Sequence, residues 1–230
     1  MPMQKRLADV LARLENVPTL PNRPAGRVMP TLVAASKTQP ADVIAALAAA
    51  GQKAFGENYV QEALPKIDAL RAHGLEWHLI GHLQSNKARD AAQAFDWVQT
   101  LDRAKLIPLL ASHRPSELPP LNVLVQVNID DEASKHGCKP ADALGLAGLV
   151  ACEPRLQLRG LMAIPAPSAD PQVRVRTFVA MRALFEAVAE RYPSIDTLSM
   201  GMSDDFVAAI GQGATMVRIG SALFGARGMP

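Results

Sequence analysis

The sequence predicts a single α/β domain in which eight parallel strands close into a (β/α)8 barrel. Short apolar runs alternate with helical stretches from residue 31 to the end of the chain, and eight such runs can be counted. The length of 230 residues and the 49% hydrophobic content suit one large core of this kind. An open, doubly wound sheet is the alternative, but no glycine-rich turn follows the first run.

Each element follows from its local pattern. A charged, amphipathic N-terminal helix (3–16) is followed by a Pro-rich connector, so residues 1–30 are expected to precede the barrel within one domain spanning 1–230. Pro40, Pro140 and Ser203 are placed where helices should begin. The strands are predicted at 31–36, 53–57, 76–81, 97–101, 122–130, 156–164, 197–202 and 215–220. The helices between and after them are predicted at 40–51, 58–74, 85–95, 103–112, 140–152, 171–191 and 204–213.

Composition excludes several classes of protein. The net charge is +2 and the basic residues are scattered, which does not indicate a nucleic-acid partner or a membrane surface. No apolar run approaches the roughly 20 residues that span a bilayer, and the N-terminus does not resemble a signal peptide. Two cysteines, Cys138 and Cys152, form no zinc or disulfide pattern, so we expect a cytoplasmic protein.

Lys37 ends the first strand, in the segment "TLVAASKTQP". If its side chain faces into the barrel, so do those of Ala35 and Val33, which are small enough to leave space above them. A lysine at a strand end is often simply solvated. In a partly dry pocket, however, its amine could attack a carbonyl and form a Schiff base.

The last two strands end in glycine and serine, in "SMGMSDD" and "VRIGSALFG". Backbone N–H groups and hydroxyls at such positions can bind a phosphate, and this barrel often carries a phosphate site after strands seven and eight. A tight turn alone would also explain either segment. Arg218 lies two residues before Gly220 and faces the same side, where it could meet a heterocycle nitrogen or pair with a buried carboxylate.

An amine, a phosphate cradle and an arginine together predict a pocket for pyridoxal 5'-phosphate. The lysine would form a covalent imine with the aldehyde, and the arginine would contact the ring nitrogen.

Seven motifs carry a resemblance that covers nearly the whole chain. In order they are "LVAASKTQP", "FGENYVQE", "WHLIGHLQSNK", "VNIDDEASKHG", "LRGLMAI", "LSMGMSDDF" and "MVRIGSALFGAR". With them the chain resembles the pyridoxal-phosphate homeostasis family, which shares the N-terminal barrel of the alanine racemases. Small departures, such as Leu79, leave this resemblance intact.

The resemblance implies a role for particular residues. Lys37 would be the Schiff-base lysine and Arg218 the partner of the pyridine nitrogen. His78, Gln84 and Asn86 would shape the rim of the pocket. The remaining predicted cofactor contacts are Gly220, Ser221, Ser199 or Ser203, the backbone near Met202, and Asn58.

The implied function is to hold, buffer and deliver pyridoxal phosphate without substantial catalysis. An arginine on the ring nitrogen disfavours protonation of that nitrogen and weakens the ring as an electron sink. The racemases supply a tyrosine base from a second domain, which we do not expect here because the chain ends at Pro230. Tyr59 and Tyr192 are the only tyrosines, and neither is placed as that base. The alternatives are a weak racemase-type amino-acid enzyme and an aldolase-like enzyme in which Lys37 attacks a sugar phosphate.

Two further patterns are not predicted to be sites. "GQGATM" (211–216) lacks the third glycine of a dinucleotide fingerprint. His78 and His82 do not have helical metal-ligand spacing, so no metal site is expected. We expect a monomer whose partners are the cofactor and, in transient contacts, apoenzymes that use it.

Overall fold

The structure is a computed structural model, described here over residues 2–17, 29–132, 135–166, 168 and 170–225. Within those residues, eight parallel strands pair in sequence order and the eighth returns to the first, which closes the barrel. The predicted (β/α)8 fold is therefore confirmed. Most of the predicted connector lies outside the described residues.

The strands keep the predicted order with slightly shorter bounds. They are β1 (Thr31–Ala35), β2 (Ala54–Glu57), β3 (Glu76–Leu79), β4 (Trp97–Leu101), β5 (Leu121–Val127), β6 (Leu156–Ala163), β7 (Thr197–Ser199) and β8 (Met216–Ile219).

The helices surround the strands. They are α1 (Met3–Glu15), α2 (Ala41–Ala49), α3 (Val60–Ala69), α4 (Ala88–Ala94), α5 (Leu106–His113), α6 (Ala143–Ala151), α7 (Pro171–Arg191), α8 (Phe206–Gly211) and α9 (Ser221–Phe224). Short 3₁₀ turns at 71–73, 85–87 and 140–142 replace parts of the predicted helices. No helix in the described part of the chain is both long enough and apolar enough to cross a bilayer.

The core is divided by the wall of the barrel, because alternate residues of each strand face opposite sides. The larger part, between strands and helices, includes the fully buried side chains of Phe55, Phe178 and Phe206. The smaller apolar part fills the inside of the barrel and consists of Val33, Ala54, Trp97, Leu124, Met162 and Met216. The interior above this layer is left to polar side chains.

The start of α8 differs from the prediction. The residue that precedes the helix is Asp205, whose Oδ1 accepts a hydrogen bond of 2.7 Å from the Met202 N–H. Ser203 does not cap α8. Its hydroxyl oxygen instead accepts from the N–H groups of Gly220 and Ala222, at 3.3 and 3.5 Å. Ser203 thus joins the end of β7 to the end of β8, which matters for the site.

Candidate functional site

A cavity of about 250 Å³ opens at the carboxyl end of the barrel, between β1, β7 and β8. We call it the Lys37 cavity. Lys37 and Arg218 both line it, which brings together the two groups that the sequence singled out. The other lining residues are Ala35, Thr38, Gln39, Met202, Ser203, Asp204, Gly220, Ser221, Phe224 and Gly225.

The backbone on both sides of Lys37 is held in place. The preceding Ser36 is buried, and its hydroxyl donates a 2.6 Å hydrogen bond to Oε1 of Glu57, at the end of β2. Lys66 on α3 donates to both Glu57 oxygens, at 2.9 and 3.0 Å, so the buried carboxylate is paired. The following Thr38 has a φ of 66°, a left-handed conformation that non-glycine residues adopt infrequently. Together these features fix the direction in which the half-buried Lys37 leaves β1.

Arg218 is a buried cation on the wall of the same cavity, only 4% exposed. Its two terminal nitrogens donate to the Ser199 hydroxyl at 2.6 Å and to the Ala163 carbonyl at 2.8 Å. Burial lowers the pKa of the guanidinium to about 10, while the charge of Asp205 acts in the opposite direction. The group is therefore still charged at neutral pH. Among the described residues no carboxylate forms an ion pair with it.

Arg218 is also one end of a hydrogen-bonded chain through the barrel interior, which we call the interior relay. Ser199 donates to Gln99 Oε1 at 2.7 Å, and the Gln99 amide nitrogen lies 2.9 Å from His78 Nδ1. His78 Nε2 lies 2.8 Å from Oε1 of Glu76, at the start of β3. Ser199, Gln99 and His78 are all fully buried.

The hydrogen positions in the interior relay follow from the chemistry of arginine, which can only donate. Because Ser199 accepts from Arg218, its own proton goes to Gln99 Oε1, and the Gln99 NH₂ group must then face His78 Nδ1. In this arrangement Nδ1 of His78 accepts from Gln99, and Nε2 donates to Glu76. This hydrogen bond lowers the pKa of Glu76.

The other end of the Lys37 cavity is suited to an anion. The Ser203 and Ser221 hydroxyls and the Gly220 backbone lie there, at the start of α9. The register of β1 and β8 sets Val33 beside Arg218, so that the end of β8 reaches the level of Ala35. A Cβ on Gly220 would lie 3.3 Å from the Ala35 carbonyl oxygen, so glycine keeps the two strand ends close.

Six of the eight predicted site residues line this cavity: Lys37, Met202, Ser203, Arg218, Gly220 and Ser221. The Met202 N–H is already bonded to Asp205, so this amide is engaged within the protein. Ser199 lies behind Arg218 and does not line the cavity; its contacts are those of a residue that orients the guanidinium.

Asn58 lies elsewhere on the barrel mouth. It lines two neighbouring cavities together with His82 and His136, and not the cavity that holds Lys37. Its backbone packs directly on Gly81, where a Cβ would be 2.1 Å from the Asn58 carbonyl oxygen. Of the three residues placed at the rim, His78 lies inside the barrel, whereas Gln84 lines one of the cavities shared with Asn58.

Sequence reasoning missed Gln99 and Thr38. The predicted site residues all lie at strand ends or just beyond them, whereas Gln99 is the middle residue of β4. A polar residue in the middle of an apolar strand was the available signal, since such a residue is buried only when it has partners. Nothing in the sequence marks the left-handed backbone of Thr38.

The comparisons with known proteins agree with this geometry. Residues 10–228 match the model of the family described as alanine racemase, N-terminal domain. The fold and the site thus define the class, a barrel of the alanine racemase N-terminal type. The relatives are more specific, and by their similarity the chain belongs to the pyridoxal phosphate homeostasis protein family.

Two of those relatives cover most of the chain. The pyridoxal phosphate homeostasis protein of Escherichia coli (strain K12) is 56% identical over 200 residues, which is 86% of each chain. The protein of the same name from Haemophilus influenzae is 49% identical over 231 residues, covering 99% of this chain and 97% of its own. The family resemblance read from the motifs is confirmed.

Solved structures give the same result for the fold. PipY of Synechococcus elongatus PCC7942, in a structure with pyridoxal phosphate (PLP) bound, superposes with a TM-score of 0.82 at 33% identity, covering 97% of this chain and 100% of its own. Alanine racemase from Corynebacterium glutamicum has a TM-score of 0.68 at 16% identity, covering 97% of this chain and 62% of its own. At that identity the racemase shows the shared fold alone.

Proposed function

We propose that this chain binds pyridoxal 5'-phosphate in the Lys37 cavity and serves in its homeostasis, by holding the cofactor and delivering it. One observation carries the proposal: a half-buried amine and a fully buried arginine without a carboxylate partner among the described residues line one cavity. A buried, unpaired charge is unfavourable for folding, and such charges concentrate at ligand sites. The relative solved with PLP supports the identity of the ligand.

The residues fit the three functional groups of this ligand. Lys37 Nζ would attach to the aldehyde carbon with loss of water, and Ser203, Gly220 and Ser221 would bind the phosphate. Arg218 would donate a hydrogen bond to the ring nitrogen. Because arginine does not give up its proton, the ring nitrogen that accepts this hydrogen bond stays unprotonated. Ser199 would act through Arg218, and Asn58 would lie at the edge of the site.

The proposed role is non-catalytic. When bound, the cofactor supplies an electron sink, which is strongest with a protonated ring nitrogen, and Arg218 opposes that protonation. Neither tyrosine lines the Lys37 cavity: Tyr59 is 60% exposed on the side of Asn58, and Tyr192 packs against Gly148. The described lining residues thus include no tyrosine that could act as the base, and Asp204 is their one carboxylate.

Absorbance of the purified protein loaded with pyridoxal phosphate tests the binding site. We expect a visible absorption band from the Lys37 adduct. Borohydride reduction should remove this band and leave the mass of the cofactor attached to the peptide that contains Lys37. Lys37→Ala should abolish both signals, because no other amine of the described chain lines the cavity. The control Lys5→Ala, on the exposed face of α1, should behave as wild type. An undiminished band in Lys37→Ala would contradict the assignment.

A weak racemase-type activity is the second candidate, because proteins that share this fold are enzymes. Incubation of the loaded protein with L-amino acids, followed by chiral analysis, separates the two. Absence of D-isomers at high protein concentration supports the non-catalytic role, and sustained turnover that is lost in Lys37→Ala would replace it.

The proposal also covers the extent of the domain, its location in the cell and its partners. We infer one PLP-binding domain over 1–230, acting in the cytoplasm without a nucleic-acid or membrane partner. Delivery would take place through transient contacts with apoenzymes that use the cofactor.

A further inference from the structure

A second group of side chains lies on the opposite side of the barrel mouth. His82 follows β3, Asp102 follows β4, and His136 lies in the loop after β5; we call these three the rim cluster. One potential ligand atom from each lies within 4.8 Å of the others. The Lys37 cavity is formed by β1, β7 and β8, so the rim cluster is separate from the proposed cofactor site.

The distance between His82 and Asp102 is informative. His82 Nδ1 and Asp102 Oδ2 are 3.5 Å apart, which exceeds the roughly 2.7–3.2 Å of a good hydrogen bond. Two ligands of one tetrahedral Zn²⁺, each about 2.1 Å from the metal, are separated by about 3.4 Å. The two atoms are therefore spaced as two ligands of one metal ion would be.

The second carboxylate oxygen of Asp102 has a different partner. Arg103 donates to Oδ1 at 2.5 Å and also to the Leu83 carbonyl at 2.7 Å. These contacts fix the carboxylate, whose side chain is 8% exposed, and leave Oδ2 directed at His82. Oδ2 is thus oriented before any ligand arrives, as a metal ligand with an outer hydrogen-bond partner would be.

His136 completes the set. Its ring stacks on that of His82 with centroids 3.7 Å apart and 17° between the planes. Since a metal lies in the plane of each imidazole that binds it, one ring must turn out of the stack. His136 is on the exposed side of the pair and can turn without displacing the core.

A polar atom of Gln126 lies beside the rim cluster without a hydrogen-bond partner among the described residues. Gln126 lines a cavity of about 250 Å³ together with His82 and His136. Gln126 is only 5% exposed, and its Oε1 has no hydrogen-bond partner among the residues that the structure describes. Its Nε2 donates to the His136 carbonyl at 3.1 Å, so Oε1 is the free end of a fixed amide. Buried acceptors are rarely left unsatisfied, and a water molecule on a metal could donate to this one.

We propose that the rim cluster is a binding site for a divalent transition metal of the Zn²⁺ type, with His82, Asp102 and His136 as ligands and water in the remaining position. Two imidazoles and one carboxylate suit Zn²⁺, Co²⁺, Ni²⁺ or Cu²⁺, whereas Ca²⁺ and Mg²⁺ require more oxygen ligands than the cluster offers.

Equilibrium dialysis and Co²⁺ spectroscopy test the site, using the untagged full chain after removal of metals by chelation. We expect one Zn²⁺ per chain, and visible ligand-field bands when Co²⁺ is bound. His82→Asn and His136→Asn should each weaken Zn²⁺ binding at least tenfold. Ca²⁺ and Mg²⁺ should not compete.

Two control variants test whether other histidine or cysteine side chains bind the metal. His73→Asn removes an exposed histidine outside the cluster, and Cys152→Ser removes the exposed thiol. Both should bind Zn²⁺ as wild type does. Because Asp102 is largely buried, the Asp102→Asn variant is used only if its far-UV circular dichroism spectrum matches that of wild type. If the spectra differ, the test depends on His136→Asn, which changes an exposed residue. Wild type without stoichiometric Zn²⁺ binding, or unchanged binding in His136→Asn, would overturn the proposal.

Discussion

Ser203 links the ends of two strands through its hydroxyl oxygen, which accepts from the Gly220 and Ala222 N–H groups. Hydrogen bonds to a charged group contribute about 1.5–3 kcal/mol. If Ser203 binds the phosphate, Ser203→Ala should weaken cofactor binding by about ten- to a hundredfold, measured by fluorescence titration. Pyridoxal, which has no phosphate, should bind the variant and wild type equally.

The control for Ser203 is Ser112→Ala, on the exposed end of α5. Its binding should equal that of wild type. A Ser203→Ala variant with unchanged affinity for pyridoxal phosphate would remove Ser203 from the phosphate site.

Gln99 is the residue through which the interior relay crosses from β4 to β7. Gln99→Leu keeps the approximate volume but leaves His78 Nδ1 without its donor and the Ser199 hydroxyl proton without its acceptor. We expect a loss of about 1–3 kcal/mol in the free energy of unfolding, measured in urea. We also expect a shifted absorption maximum of the bound cofactor, since Arg218 is then less firmly oriented toward its ring.

The spectral shift separates positioning from simple loss of stability. A destabilised Gln99→Leu whose bound cofactor has the wild-type spectrum would show that the interior relay does not position Arg218. Gln93→Leu, on the exposed face of α4, is the matched control and should alter neither property.

Among the elements, β2 and β3 are followed by two residues, Asn58 and Gly81, whose backbones lie in close contact. A Cβ on Gly81 would lie 2.1 Å from the Asn58 carbonyl oxygen and 2.7 Å from its Cα, so backbone must move to admit alanine. Gly81→Ala should therefore cost about 2–4 kcal/mol in the free energy of unfolding. Urea denaturation followed by circular dichroism measures the change.

Replacing glycine by alanine should have the opposite effect on the free energy of unfolding at Gly145, on α6. A Cβ on Gly145 meets nothing within 4 Å, and alanine favours a helix over glycine by about 0.5–1 kcal/mol. Gly145→Ala should thus stabilise the protein. If both variants changed stability equally, the close approach at Gly81 would not be the cause.

For the whole molecule we expect a monomer in solution. The exposed large apolar side chains of the described residues are divided among several separate elements: Tyr59 before α3, Leu144 and Leu149 on α6, Val173 and Val179 on α7, and Met202 and Val207 around α8. Stable dimers usually bury a continuous apolar patch. Light scattering after gel filtration should give about 24.6 kDa, and twice that mass would contradict the expectation.

The sequence predicts the architecture well because alternation of strands and helices is a local signal, repeated eight times. It also brings Lys37 and Arg218 together, since β1 and β8 are neighbours in any closed barrel of this order. It predicts less well which way a side chain turns after its strand ends. Asn58 follows β2, the neighbour of β1, yet it turns toward β3.

Contacts between segments that are far apart in the sequence could not be predicted from the sequence. Asp102 and His136 follow β4 and β5 at positions without a shared motif, so only the folded barrel shows that they meet His82. Likewise, Gln99 and Ser199 are 100 residues apart and are joined by one hydrogen bond.

The hydrogen bonds of the interior relay all run in one direction. Arg218 donates to Ser199, Ser199 to Gln99, Gln99 to His78, and His78 to Glu76. Their bond dipoles therefore add along the axis instead of cancelling: the positive end of each points toward the Glu76 carboxylate, and the negative end toward the Arg218 cation. Each of the two charges thus faces the end of the dipole chain that stabilises it, and the positive charge presented to a ligand beside Lys37 is that of Arg218 itself.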